Sequence, residues 1–162
     1  MCLLAQNYIS YSQTDADLGV AAIGLVVSDI EISENFYGAI LGMKQVGEFS
    51  LDEPWSQDAG VANGKPFSVK VFKMKDRSSA TVLKLAYFDK TEKAVEKQTI
   101  NTSSGVNYIT LHYSAEEFKQ VTEKIDAAAI KKWGWVKRDS YQLFFIKDPD
   151  DLFVEIVGPP DN

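Results

Sequence analysis

Ile23-Gly24-Leu25-Val26-Val27-Ser28 and Ile109-Thr110-Leu111-His112-Tyr113-Ser114 follow one pattern, Ile-x-Leu-x-(Val/Tyr)-Ser. Each runs at once into an amphipathic helical stretch. A second echo closes each half: Leu83-Lys84-Leu85 and Val154-Glu155-Ile156 are short apolar strands with one charge at the centre. The chain therefore reads as two copies of one βαβββ unit. The echo singles out four related positions, Ala22 with Tyr108 and Lys84 with Glu155.

Working outward, residues 20–27 are nearly all apolar and predict a strand buried on both faces. Ser28-Asp29 supplies an N-cap signal. Ile32, Phe36, Ile40 and Leu41 share one helical face, and Gly42 stops the helix. A strand follows over 43–51. Residues 52–66 read as a long loop, because Pro54, Gly60, Gly64 and Pro66 punctuate it around Trp55. A loop of that length in a compact domain is a candidate lid. Segments 67–74 and 81–88 form a hairpin.

The second half repeats the plan. Residues 106–113 predict a strand, and 115–129 a helix with Ser114 as N-cap and Glu117 at the capping-box position. Phe118, Val121 and Ile125 form its buried stripe. Three strands follow at 132–138, 141–147 and 152–157. Asp148, Pro149 and Asp150 read as turn residues, and Trp133-Gly134-Trp135 as a strand with both indoles on one face. The organisation is an N-terminal extension (1–18, with Asn7 to Tyr11 as a candidate edge strand), a first module (19–88), a polar linker (89–105) and a second module (106–158).

Composition narrows the function classes. The chain has 162 residues, 45% of them hydrophobic, and a formal net charge of −6. Acidity of this size argues against nucleic acid, whose phosphates require clustered Lys and Arg. No apolar run approaches the roughly 18 residues that span a bilayer. The lone Cys2 excludes an internal disulfide and a Cys-based zinc site. A reducing cytoplasm is the expected location, and a secretion signal starting upstream stays open.

Side-chain alternation places the chemistry. Leu83, Leu85 and Tyr87 share one strand face, while Lys84 and Phe88 share the other. Ile109 and Leu111 oppose Tyr108, Thr110 and His112; Val154 and Ile156 oppose Phe153 and Glu155. Each strand thus has an aliphatic face for helices and a mixed face for a cavity.

These residues resemble the vicinal oxygen chelate superfamily, which includes glyoxalase I, bleomycin-resistance proteins and extradiol dioxygenases. One motif runs from Leu25 to Met43 and is similar to the family's strand, V-x-D-(L/I), helix and F-Y-x-x-x-L-G-(M/F). The other runs from Phe145 to Ile156 and is similar to (F/I)-x-D-P-D-G-x-x-(I/V)-E-(L/I). The resemblance implies an α+β glyoxalase-like fold: two βαβββ modules forming a cupped, partly open mixed sheet around a cavity. It also implies a small-molecule partner, a homodimer and, in metal-dependent members, a divalent ion held by four sheet positions. Those positions fall here at Ala22, Lys84, Tyr108 and Glu155. Only Glu155 is an ordinary ligand, and three or four protein ligands are usual. The resemblance therefore implies a degenerate metal site and no cofactor, with a divalent ion at Glu155 and His112 as the minor alternative.

Two function classes follow. The first is a metal-free, bleomycin-resistance-like binder of a small, partly aromatic molecule. Its ligand-contacting residues are Tyr108, His112, Trp55, Phe88 and Phe153, with Phe144 as a further wall residue and Lys84 and Glu155 as a charged floor. The second is a metal-independent lyase or isomerase in which Glu155 abstracts a proton next to a carbonyl and Lys84 stabilises the enolate. In both, Lys84 and Glu155 are expected to face each other as an ion pair.

Overall fold

The computed structural model describes residues 19–102 and 104–161. The first module runs β1 (Ala22–Val26), α1 (Ile30–Glu34) continued by a π-helical turn (Asn35–Ile40), β2 (Lys44–Leu51), α2 (Glu53–Ala59), β3 (Phe67–Lys73) and β4 (Val82–Tyr87). The second runs β5 (Tyr108–His112), α3 (Ala115–Ala127), β6 (Trp133–Lys137), β7 (Gln142–Lys147) and β8 (Phe153–Gly158). Each module carries a mixed four-stranded sheet, ordered β1-β4-β3-β2 and β5-β8-β7-β6. The β1/β4 and β5/β8 pairs are parallel and the others antiparallel. This is the expected α+β architecture of two βαβββ modules with open sheets. The candidate edge strand at 7–11 lies outside the described residues.

The two sequence echoes lie side by side in register. Ile23 and Leu25 pair with Leu83 and Leu85 in the first sheet; Ile109 and Leu111 pair with Val154 and Ile156 in the second. These apolar neighbours face the helices. Leu83 and Leu85 share one continuous core with Phe36, Tyr37 and Leu41 of the first module and with Phe118, Ile125, Phe144, Val154 and Ile156 of the second. Both sheets therefore turn their helix-side faces into a single core, the main source of hydrophobic stabilisation. The faces bearing Lys84 and Glu155 are the opposite ones.

Four local expectations are corrected. β1 is covered on one face only: Ala22, Gly24 and Val26 are exposed, because β1 is an edge strand paired to β4 alone. The first half of segment 52–66 is a helix. Asp52 caps it by accepting from the Trp55 N–H at 3.0 Å, Pro54 occupies its first turn, and Gly60 ends it in the left-handed region at φ 69°. The same residues that read as loop punctuation are helix start and stop signals. Ile32 lies outside the buried stripe and is 56% exposed, whereas Ser33 is buried with Phe36, Tyr37 and Leu41. The π-helical turn widens the spacing and carries the stripe one residue along. Finally, Trp133 and Trp135 lie on opposite faces. Gly134 has φ 65° and the β6/β7 register slips between Trp133 and Val136, so a bulge breaks the alternation. Trp133 packs on Phe153, while Trp135 packs on Phe118 and Phe144.

Reciprocal contacts join the modules. The β7–β8 turn reaches the start of α1: both Asp150 carboxylate oxygens accept from the Ser28 N–H, at 3.2 and 3.1 Å. The β3–β4 hairpin reaches the start of α3, where Lys75 pairs with Glu117. Glu117 also closes the expected capping box with Ser114. Lys75 and then Ser114 hold the Glu117 carboxyl down at about 2, from an ordinary 4.5. Its contribution to stability is complete above 4.5 and is lost as pH falls toward 2. The exposed setting of the pair keeps that contribution small.

The deepest of these contacts is buried. Tyr37, fully enclosed, donates its hydroxyl to Asp148 Oδ2 at 2.7 Å. Asp148 Oδ1 accepts from the N–H groups of Asp150 (3.0 Å) and Leu152 (2.7 Å), which builds the turn. Burial raises the Asp148 carboxyl above its ordinary value, and the Tyr37 and backbone hydrogen bonds oppose that rise. The native state holds this proton to higher pH than the unfolded chain does. Asp148 therefore lowers stability as pH climbs from 3.8 through its folded value. Tyr37→Phe removes the donor that best offsets this cost. The expected loss is about 1–3 kcal/mol at neutral pH. It should shrink in acid, where the carboxyl is neutral, when urea unfolding of both proteins is followed from pH 7 to pH 3.

Candidate functional site

The site is assembled on the strand pairs that the echo marks. Central residues of the echo pair directly: Gly24 with Lys84 in the first sheet and Thr110 with Glu155 in the second. Glu155 also lies opposite Phe145 of β7, and Lys84 opposite Val71 of β3. Tyr108 pairs with Phe153 and His112 with Val157, so these two flank Glu155 diagonally on its own face, one on each side. Such diagonal neighbours lie about 7–8 Å apart, within reach of long side chains. His112 is therefore as close in register to Glu155 as Tyr108 is.

The Glu155 carboxylate is half-buried, and Thr110 Oγ1 donates to its Oε2 at 2.6 Å. The expected Lys84 partner is not there. Lys84 is half-buried on the first sheet, and its ammonium makes no ion pair or hydrogen bond among the described residues. Because both sheets give their helix-side faces to one core, the two charged faces are not brought together within one chain. The second sheet instead carries an open groove of about 820 Å³, lined by Thr110, His112, Tyr141, Leu143, Glu155 and Val157 among others.

The other expected residues divide between the two sheets. Trp55 on α2 packs edge-on against Phe67 at 6.0 Å, and Phe67 stacks on Phe88 at 5.0 Å. Phe67 shares the parity of Val69 and Val71, so this aromatic ladder lies at one end of the Lys84 face, where Val69 and Val71 are buried. Tyr108 is 47% exposed, with its ring edge-on to Phe145 at 5.9 Å. Phe153 shares the Glu155 face but is buried, with the rings of Trp133 and Phe145 and the Lys147 ammonium against it. It forms the floor of that face and is not open to a ligand. Phe144, expected on the cavity wall, is fully buried on the helix side against Phe118 and Trp135.

Sequence reasoning placed Thr110 on the correct face but assigned it no role; the signal was its position at the centre of the echo. Tyr141 and Leu143 reach the groove from β7 and the turn before it, and no motif pointed to them. Asp148 and Asp150 are turn residues as expected, and in addition they bind the first module.

The four positions implied to hold a metal can be tested on their donors. Ala22 offers none, Lys84 brings a cation, Tyr108 a phenol, and Glu155 a carboxylate with one oxygen already engaged. No cluster of three His, Cys, Asp or Glu side chains suited to an ion occurs among the described residues. This donor set does not fit the divalent site of metal-dependent relatives.

The comparisons with known proteins agree with the architecture. Residues 19–156 match the model of the Glyoxalase/Bleomycin resistance protein/Dioxygenase superfamily. A glyoxalase family protein from Bacillus cereus superposes with a TM-score of 0.69 at 13% identity, covering 94% of this chain and 99% of that one. A glyoxylase/bleomycin resistance protein/dioxygenase domain from Frankia sp. EAN1pec gives 0.65 at 15% identity, covering 87% and 97%. A glyoxalase/dioxygenase from Nostoc punctiforme gives 0.59 at 23% identity, covering 94% and 99%. No curated protein matches the chain. At these identities the likeness carries the fold, while the motifs and the family match, which spans both modules, carry the membership: the chain belongs to the glyoxalase/bleomycin resistance protein/dioxygenase superfamily.

Proposed function

We propose that this protein binds a small, partly aromatic molecule on the sheet face that carries Glu155, without a metal ion, in the manner of the bleomycin-resistance branch of its superfamily. The observation that carries the reading is the open groove of about 820 Å³ beside Glu155 and His112. Ligand pockets of this kind are typically about 300–1,000 Å³, mostly apolar, with a few convergent polar groups. Leu143 and Val157 supply apolar wall, Tyr141 an aromatic edge, and Glu155, His112 and Thr110 the polar groups. The cytoplasm is the proposed location. No helix among the described residues is long and apolar enough to cross a membrane.

The working form we propose is a homodimer. β1 and β5 are both sheet-edge strands, and Val26 and Tyr108 on their open faces are 55% and 47% exposed. Unpaired edges with apolar side chains favour association. Apposing the Lys84 face of one copy to the Glu155 face of another would cover these residues. It would also bring the ammonium to the carboxylate and add Trp55 and Phe88 to the cavity. Sedimentation should give a dimer at micromolar concentration, and Val26→Lys should shift it toward monomer. A wild-type monomer at all concentrations rules the composite cavity out.

A second reading is favoured by the placement of Glu155, whose Oε1 is free of the Thr110 bond. A half-buried carboxylate with one uncommitted oxygen can act as a general base on a carbon next to a carbonyl. The two readings separate on Glu155→Gln once a ligand has been found by thermal-shift screening. Binding alone predicts an affinity change within about tenfold, the effect of one hydrogen bond. Catalysis predicts loss of solvent-deuterium exchange into the bound ligand. The metal-free assignment is checked separately, by elemental mass spectrometry after incubation with Ni²⁺, Zn²⁺, Mn²⁺ and Fe²⁺ followed by dialysis. Content far below one equivalent is expected, and near-stoichiometric metal overturns the assignment.

A further inference from the structure

The internal repeat puts equivalent residue pairs at equivalent places, and the two pairs differ in kind. In the first sheet the charge at the centre of the echo, Lys84, lies opposite Gly24. Gly24 has no side chain, and the Lys84 ammonium has no hydrogen-bond partner among the described residues. In the second sheet the charge, Glu155, lies opposite Thr110, whose hydroxyl donates to Oε2 at 2.6 Å. The flanking pairs, Ile23 with Leu83 and Leu25 with Leu85 against Ile109 with Val154 and Leu111 with Ile156, are interchangeable aliphatics. The centre pair is one place where the modules diverge chemically, as they also do at Ala22 against Tyr108.

From this we infer that Thr110 is the positioning residue of Glu155, and that it sets the kind of group the groove accepts. Three features support the role. Threonine is β-branched and stiff about χ1, so on a strand its hydroxyl direction is held by the backbone. The bond crosses two adjacent parallel strands in direct register, so the sheet itself sets its geometry. Its short length is that of a hydroxyl on a charged acceptor. A hydroxyl must donate here, because the carboxylate can only accept.

The consequence concerns ligand class. With one site of Oε2 taken by Thr110, Oε1 is the carboxylate oxygen with no hydrogen-bond partner among the described residues. A lone acceptor oxygen suits a single O–H or N–H donor, or a single acidic C–H. It favours such a ligand over a guanidinium or amidinium, which would share Oε2 with the Thr110 hydroxyl. His112, diagonal to Glu155 and in the groove wall, is the group placed to hold the rest of such a ligand. This rests on the groove being the binding site, as proposed above, but the Thr110 bond can be tested with no ligand present.

The test is the side-chain order of Glu155, read at fixed neutral pH by NMR relaxation of its labelled γ-methylene, in wild type, Thr110→Val and Thr110→Ser. Valine keeps the shape of threonine and removes the donor; serine keeps the donor. A bond that fixes the carboxylate holds the side chain in one staggered rotamer. Its loss should lower the γ-methylene order parameter in Thr110→Val. Serine should return it to the wild-type value. An unchanged order parameter in Thr110→Val overturns the inference. So does an equal fall in both variants, which would trace the effect to the methyl group. Neither result bears on whether the groove binds a molecule, so a failure here is distinguishable from a failure of the binding reading.

Discussion

The buried hydrogen bond from Tyr37 to Asp148 is the constraint around which the rest of the molecule is arranged. It joins the helix of one module to a strand turn of the other, inside the core, where an unpaired carboxylate would be costly. Asp148 meets the cost by accepting three bonds, one from the phenol and two from its own turn. Breaking the module interface would leave both the phenol and the turn to find other partners. The contacts around it follow the same logic at lower cost: Asp150 on the Ser28 N–H, the Tyr113 hydroxyl on the Leu41 carbonyl at 2.9 Å, and Lys124 on the Ala39 carbonyl at 2.9 Å. In each case a polar end group of one module satisfies a helix terminus or carbonyl of the other. Helices α1 and α3 are thereby held at the shared core, and Lys84 and Glu155 lie on the opposite sheet faces.

That arrangement explains what was legible in the sequence and what was not. The echo of Ile-x-Leu with apolar-charge-apolar gave the strand pairs and their faces, because side-chain parity on a strand is a local property. The α3 capping box and its Phe118-Val121-Ile125 stripe were legible for the same reason. The misreadings came where local rules compete. Pro54 and Gly60 punctuate a loop or bound a helix, and only the Asp52 side chain on the Trp55 N–H selects the second. Gly134 is an ordinary strand residue unless it takes positive φ; once it does, Trp135 swings to the helix side. A run of apolar residues in β1 suggested burial on two faces, but burial depends on what lies beyond an edge strand, and one strand's sequence does not contain that.

The site was legible in part for a related reason. Parity put Glu155, His112, Tyr108 and Thr110 on one face, and the structure places all four there. Parity also put Lys84 and Phe88 on the matching face of the first sheet, where they lie. Whether those two faces meet is a question of module packing, and the repeat is silent on it. The inference that Lys84 and Glu155 pair assumed that equivalent positions must be neighbours. Equivalence under a repeat guarantees similar surroundings within each module, not proximity between them.

The divergence of the two centre pairs then acquires a physical sense. The repeat has a cation facing a glycine on one sheet and a carboxylate facing a threonine on the other. A glycine opposite Lys84 offers its ammonium no side-chain partner. A threonine opposite Glu155 does the reverse, committing one oxygen and fixing the direction of the other. The face with the fixed acceptor is also the one that carries the groove, the histidine and the exposed tyrosine. Preorganised polar groups are worth having where a ligand must be oriented, because the cost of ordering them is met on folding and not on binding. The preorganised polar groups are thus concentrated in the second module. The first carries the Lys84 ammonium and the aromatic ladder of Trp55, Phe67 and Phe88 on one sheet face.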